Sequence, residues 1–372
     1  MPRLSPRPFP RPYSVRRVSP LVLAVSLVLA VSLVPAVAQA ADEALSLEVA
    51  NDGMISNDDG HYTSGVTFEL AFTPGQTHWT QRLARALPDA LIEHADSAQY
   101  RLVHQIYTPD NIEATELIED DRPYAGLVYG GVSLYDAQST AKGHIATDLH
   151  LDVGMVGTSS LADSIQQEVH RLTDSDRPQG WDNQLHDEAI VNLGVRRQWW
   201  HDMPLSGKQL AFGPSASAAL GNLYTYASTG YSVRFGDAAR SVPSLTPGSA
   251  SSAGFIAEGG FRWYVFAGVE GYYMAQNLLL DGNTFTSSHS VDRREWVGDV
   301  SAGFALAWED WQMRFAALQR SDEFRGQQDP DKFAALTLTP KCSNRSCPGS
   351  CARSRWRRGA PAAARGARRR SG

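Results

Sequence analysis

The feature that most limits what this chain can become is a period of two. In "HIATDLHLDVGMV", His144 to Val156, Ile145, Thr147, Leu149, Leu151, Val153 and Met155 fall on one side. Ala146, Asp148, His150, Asp152 and Gly154 fall on the other. "EWVGDVSAGFALAW", Glu295 to Trp308, sorts in the same way, with Trp296, Val300, Phe304, Leu306 and Trp308 opposite Asp299 and Ser301. A helix repeats every 3.6 residues or so, so only extended strands divide side chains like this. Segments of about ten residues, apolar on one face and polar or small on the other, are the mark of a transmembrane β-barrel. A soluble sandwich or barrel gives the same alternation, but long strands with small inward residues favour the membrane form. Aromatic residues near strand ends, Trp199, Trp200, Tyr272, Tyr273, Trp296, Trp308 and Trp311, suit interfacial girdles.

Twelve strands are expected, beginning near residues 44, 62, 99, 125, 143, 188, 208, 226, 261, 294, 311 and 333. The fold class is therefore all-β, a twelve-stranded antiparallel outer-membrane barrel. An even count leaves both ends of the barrel on the periplasmic side. The connection near residues 75–98 reads as an amphipathic helix on that side, and residues 237–254 are rich in Ser, Pro and Ala.

The ends of the chain differ from its middle. Residues 1–40 carry five arginines, an apolar run from Leu21 to Val37 and the small-x-small tripeptide Ala38-Gln39-Ala40, the order of a cleaved signal peptide. Residues 341–372 hold ten basic residues, no acidic ones and all three cysteines, and read as a disordered or frameshifted tail. The Cys342, Cys347, Cys351 spacing fits no standard zinc pattern. The whole chain has 34 basic and 40 acidic residues; removing the 15 terminal basic ones leaves 19 against 40, a charge of −21 over the barrel domain, residues 41–340. An exported domain of that sign is unsuited to nucleic acid. It suits divalent cations, or anionic surfaces reached through them.

Strand parity gathers four polar clusters on the outer rim: Asn51-Asp52, "GHYTSG" (Gly60–Gly65), "DDRPYAG" (Asp120–Gly126) and the insertion Gln166–Glu188 between strands 5 and 6. Such a long connection between neighbouring strands is usually functional. In the insertion, Ser160 and Asp163 predict a capping box. Leu161, Ile165, Val169 and Leu172 follow as an apolar stripe. Gln166 and His170, four apart, project from one neighbouring face. With the stripe facing down, that pair would aim at the barrel wall near Asn51, Asp52 and Thr63, with Asp174 and Asp176 in reach of the imidazole. Trp181 reads as an anchor of the loop at the membrane interface.

Together, "VAND", "HYTSGV", "QIYTP", "DDRPYAG", "GMVGTSSLADSIQQEVHRL" and "GWDNQLHDE" occur in one order over most of residues 44–340. In this the chain resembles the lipid A 3-O-deacylases of Gram-negative outer membranes. The resemblance implies a calcium-dependent esterase that removes the 3′-linked acyloxyacyl chain of lipid A in the outer leaflet, at a site between the barrel wall and a loop helix. It implies catalytic roles for Asn51, Gln166 and His170, a cation near Asn51, Asp52 and Thr63, and an acidic partner for the histidine at Asp176, with Asp174 as the alternative. His170 would activate water and Ca²⁺ would stabilise the oxyanion. Lipopolysaccharide is then the expected partner, and the chain is expected to act as a monomer. Two other readings are a Ser–His lipase using Ser64 or Ser159, without a Gly-x-Ser-x-Gly elbow, and a non-catalytic porin-like barrel.

Overall fold

A computed structural model of the chain describes residues 43–55, 61–89, 91–237, 260–308 and 311–340. The expected leader, residues 1–40, and tail, residues 341–372, lie outside the described residues. Twelve antiparallel strands follow one another: β1 (Glu43–Asn51), β2 (His61–Phe72), β3 (Ser97–Thr108), β4 (Ala125–Thr140), β5 (Gly143–Val156), β6 (Glu188–Leu205), β7 (Lys208–Gly221), β8 (Tyr224–Gly236), β9 (Arg262–Asn277), β10 (Trp296–Trp308), β11 (Trp311–Arg320) and β12 (Asp331–Pro340). Each begins within two residues of the start expected from the alternation. Each pairs with its sequence neighbours, and β12 pairs back onto β1, so the barrel is closed. Closure leaves no ladder edge unpaired, which a lipid environment requires.

The alternation sorts as expected. Leu151 and Val153 are exposed on β5, while Asp148, His150 and Asp152 are buried inside. The buried charges are paired along the inner wall: Arg101 Nη2 reaches both oxygens of Asp152 at 2.6 and 2.7 Å, and Arg320 holds Asp299 of the neighbouring strand through two bonds of 2.9 Å. Unpaired, charges at such positions would be very costly. Nearer the outer rim every strand contributes to one buried cluster that includes Tyr62, Tyr107, Tyr129, Tyr224, Tyr226 and Tyr272. A lumen packed across its width does not offer the water-filled channel of a porin.

The aromatic girdle needs one correction. Trp199, Tyr273, Trp296, Trp308 and Trp311 are exposed on the outer face, but Trp200 and Tyr272 are buried inside. Adjacent residues of a strand point to opposite faces, so each tandem pair supplies one girdle residue and one core residue.

The β2–β3 connection forms helix α1 (Trp79–Ala86), where a helix was expected, and the β5–β6 insertion carries α2 (Ala162–Thr173). Tight turns at 141–142 and 206–207 lie on the rim opposite α2. The connections after β1, β3, β5, β9 and β11 share the rim that bears α2.

A candidate site between the outer wall and the rim helix

The outer wall is the floor of this site. On β3, Leu102, His104 and Ile106 share the outward face, and Ile106 pairs with Gly126 of β4. The start of α2 lies directly on that row. A Cβ built on Gly126 would stand 2.0 Å from Ser160 Oγ and 2.3 Å from Ala162 Cβ. His104 Nε2 donates to the Ser160 carbonyl at 3.1 Å, and Ala162 packs among Ile106, Tyr124 and Trp181. The helix is therefore docked on the outside of the barrel, at its rim.

The helix begins differently from its sequence signature. Its N-cap is Leu161, in the left-handed region at φ 60°, whose own side chain makes no cap bond. Ser160 instead ends a 3-10 turn (Thr158–Ser160), donating to Gly157 O at 2.6 Å and accepting from Ala162 N at 3.4 Å. The stripe is not the buried face: Val169 and Leu172 are half-buried. Leu161 is 60% and Ile165 39% exposed, while Ala162, Gln166 and His170 form the buried face. An apolar stripe turns inward when water lies outside. Here docking sets the rotation: Ala162 packs on Gly126, and Gln166 and His170 follow it to the wall, while Glu168 and Arg171 stay exposed with Leu161 and Ile165.

Gln166 and His170 are both buried, 2% and 7% exposed, and each is fixed by a partner from the segment after the helix. Trp181 Nε1 donates to Gln166 Oε1 at 2.9 Å, which orients the amide. Gln166 Nε2 is left buried with no hydrogen-bond partner. Trp181 is itself 5% exposed, so it is a partner of the site and not an interfacial anchor. His170 Nδ1 lies 2.5 Å from the main-chain carbonyl of Asp176. A carbonyl only accepts, so Nδ1 carries the proton and Nε2 is the basic nitrogen. Asp174, left-handed at φ 55°, makes this contact possible. It reverses the chain, Ser175 N bonds to His170 O at 3.0 Å, and Asp176 returns to the ring. Asp176, the expected acidic partner, thus meets the ring through its main chain, and its side chain is exposed.

On the first two strands, Asn51 Nδ2 donates to Thr63 O at 2.5 Å. Thr63 is the extra residue of a bulge between Tyr62 and Ser64, and its hydroxyl meets Thr108 Oγ1 at 2.8 Å. Asp52 is 5% exposed, and one of its oxygens accepts from Gly53 N at 2.7 Å. A Cβ on Gly53 would stand 2.9 Å from Asn51 Oδ1, so glycine keeps that oxygen uncovered. These donors are all oxygens, as a hard divalent cation requires. Asn51, Ser64, Ile106 and Gly126 are successive partners across β1 to β4. At about 4.8 Å per strand, this row puts the start of α2 roughly 10–15 Å from Asn51. The structure joins Asn51 to Thr63, and Gln166 to His170 on one face, as two halves of one outer surface.

The insertion is sewn down at both ends. Ser159 donates to Asp187 through N at 2.8 Å and Oγ at 2.6 Å, and these bonds hold the Asp187 carboxyl below the usual carboxylate range. Gln179 N bonds to Ile112 O and Leu185 N to Tyr124 O, at 2.8 and 2.9 Å. Two groups among the described residues could hold a metal ion, His61 with Asp110 and Asp121, and His94 with Asp96 and Asp136. Neither includes Asp52. The sequence reading missed the first as a cluster, although parity already put "GHYTSG" and "DDRPYAG" on one rim.

The family described as Outer membrane protein LpxR matches residues 21–342. Among solved structures, LpxR from Salmonella typhimurium aligns with a TM-score of 0.66 at 21% identity, over 80% of this chain and 99% of that one. That likeness shows the fold. The beta domain of the Bordetella autotransporter BrkA aligns with a TM-score of 0.38 at 11% identity, over 80% of this chain and 97% of that one. The transport unit of the autotransporter AIDA-I from Escherichia coli aligns at 0.32 and 10% identity, over 87% and 97%. No curated protein matches the sequence.

Proposed function

The chain belongs to the LpxR family of outer-membrane proteins, and from that premise we propose that it hydrolyses an acyl ester of lipid A in the outer leaflet. One observation carries the reading: Gln166 and His170 lie buried against the outer wall, facing the protein from a helix docked outside the barrel. A lipid moving in the leaflet meets that surface without entering the packed lumen. The ester is the 3′-linked acyloxyacyl bond implied by the sequence resemblance.

His170 is the base. Its Nε2 takes the proton of a water that attacks the ester carbonyl, while the Asp176 carbonyl keeps the ring in the required tautomer. The N–H groups of Gln166 Nε2, buried without a partner, are donors for the developing oxyanion. Asp52, Asn51 and Thr63 would hold a calcium ion, which when bound polarises the carbonyl as a Lewis acid. The acidic balance of residues 41–340 is suited to a phosphate-bearing substrate only through such a cation.

The test is mass spectrometry of lipid A from cells making the chain or its His170→Ala variant. The expected result is loss of the acyloxyacyl unit with the parent chain, and a rate lower by about 10²–10⁴ with the variant. Heat-modifiable migration of the barrel should be unchanged. Equal turnover by both proteins would overturn the assignment. The serine-lipase reading finds no support in Ser159, whose hydroxyl donates to Asp187 and not to a histidine, and fluorophosphonate labelling should be absent.

A further inference from the structure

We propose that His61, Asp110 and Asp121 form a second metal site at the mouth of the barrel, one that takes a divalent ion of the zinc class. The proposal goes beyond the deacylase reading and does not depend on it. His61 opens β2 in the left-handed region, at φ 63°. Asp110 and Asp121 come from the connection between β3 and β4, and Asp331 from the start of β12.

The two ring nitrogens have different surroundings. Nδ1 is hydrogen-bonded to the Asp331 carboxylate, which only accepts, so it carries the proton. Nε2 is then the nitrogen left to take a ligand. It lies 3.1 Å from Asp110 Oδ1 and 3.8 Å from Asp121 Oδ1, in a side chain 7% exposed. Among the described residues it makes no hydrogen bond, and these two carboxylates are its ion-pair contacts. A buried ring nitrogen that makes no hydrogen bond of its own converges here with a carboxylate oxygen from each of two aspartates, an arrangement that a cation between them would complete. With bonds of about 2.0 Å, neighbouring ligands of a tetrahedral zinc stand roughly 3.3 Å apart. The two observed separations bracket that value. A histidine whose other nitrogen donates to a carboxylate is also the usual support of a metal ligand, since it fixes the tautomer and the ring.

The donor set selects the ion. One imidazole and two carboxylates suit zinc or a neighbouring transition metal, whereas calcium takes six to eight oxygens or so. Asp121 is held by its own bonds, accepting from Asp110 N at 2.8 Å and Arg122 N at 2.7 Å. Asp110 has a side chain 52% exposed, which gives an ion a way in. The nearest guanidinium, Arg122, lies over the Tyr107 ring at 4.9 Å and pairs with Glu323 at 3.5 Å. The other group of similar composition is built differently. His94 presents Nε2 to Asp96 at 2.9 Å and Nδ1 to Asp136 at 3.6 Å, so no single nitrogen faces both carboxylates.

The experiment is calorimetric titration of the full chain, folded in detergent, with zinc alone and separately with calcium. One saturable zinc equivalent is expected, weakened at least about tenfold by His61→Asn or Asp110→Asn and about 10- to 100-fold by Asp331→Asn. His94→Asn and His170→Ala should leave the isotherm unchanged, which separates this site from the proposed deacylase centre. Heat-modifiable migration checks each fold, and Asp110→Asn, at a half-exposed side chain, carries the test if His61→Asn does not fold. The proposal is overturned by the absence of a saturable zinc signal, or by an isotherm that Asp110→Asn does not alter.

Discussion

Replacing Gly126 with alanine tests whether α2 must lie directly on the barrel wall. The added carbon would stand 2.0 Å from Ser160 Oγ, 2.3 Å from Ala162 Cβ and 3.2 Å from Ser160 Cβ. Carbon atoms pack best at about 3.5–4.0 Å, so the start of the helix must withdraw by more than ~1 Å. Ser160 cannot simply rotate away, because its hydroxyl is held by Gly157 O and Ala162 N. Overpacking of this kind costs about 1–3 kcal/mol. At about 1.4 kcal/mol per decade, the docked-to-undocked ratio of α2 falls roughly 5- to 150-fold. The cost falls on the helix and not on barrel closure, since the new methyl points outward. Hydrogen exchange over Ala162–Thr173 should rise, lipid A turnover should fall, and the barrel should keep its heat-modifiable migration. Gly130→Ala is the control on the same face of β4, where the nearest atom to the added carbon is Arg101 O at 3.9 Å. It should change nothing. Adding Ala162→Gly to Gly126→Ala should recover part of the loss, a coupling expected only of residues in contact. Wild-type exchange and turnover in Gly126→Ala would refute the reasoning.

Three further outcomes follow from the same geometry. Trp181→Phe keeps most of the packing but strips Gln166 Oε1 of its donor; the buried oxygen should cost about 1–3 kcal/mol, read as faster exchange in α2 and lower turnover from an intact barrel. Asp176→Ala should leave turnover and stability close to wild type, within about 0.5 kcal/mol, because the histidine is oriented by a main-chain carbonyl; a loss as deep as that of His170→Ala would show that the carboxylate is needed. The Asp187 carboxyl titrates below its unfolded value, so its stabilisation of the insertion is present above the ordinary carboxylate pKa of about 3.9. It is lost as pH falls through the lower, folded value, and exchange at Thr158–Ser160, corrected for intrinsic rate, should show an acid step that Asp187→Asn removes.

The barrel was legible because strand alternation is written in side chains, one residue at a time, and it fixed every strand start to within two residues. The rim was legible only as a neighbourhood. Counting strands puts Asn51, Thr63 and the insertion with Gln166 and His170 at one rim, and the connections after β1 and β5 do share that rim. What could not be read is how that rim is held together. The apolar stripe of α2 predicts one buried face, yet Leu161 and Ile165 are exposed, because the close contact of Ala162 with Gly126 sets the rotation of the helix. Trp199 and Trp200 were grouped by type, yet neighbouring strand residues have opposite faces, and only the first is a girdle residue.

The remaining gap has a common physical cause, which also sets what substitution can reveal. His170 bonds to the carbonyl of Asp176, Asn51 to that of Thr63, and His104 to that of Ser160. A carbonyl is present at every position, so none of these contacts leaves a mark on residue identity. Whether a given carbonyl is in place depends instead on backbone conformation: the left-handed turn at Asp174, the bulge at Thr63, the 3-10 turn before Leu161. Side chains at such positions should therefore be more replaceable than their place beside the site suggests, while changes that alter the path of the chain should not be. Gly126 belongs with the second kind, for its whole contribution is the absence of a carbon where α2 needs the space.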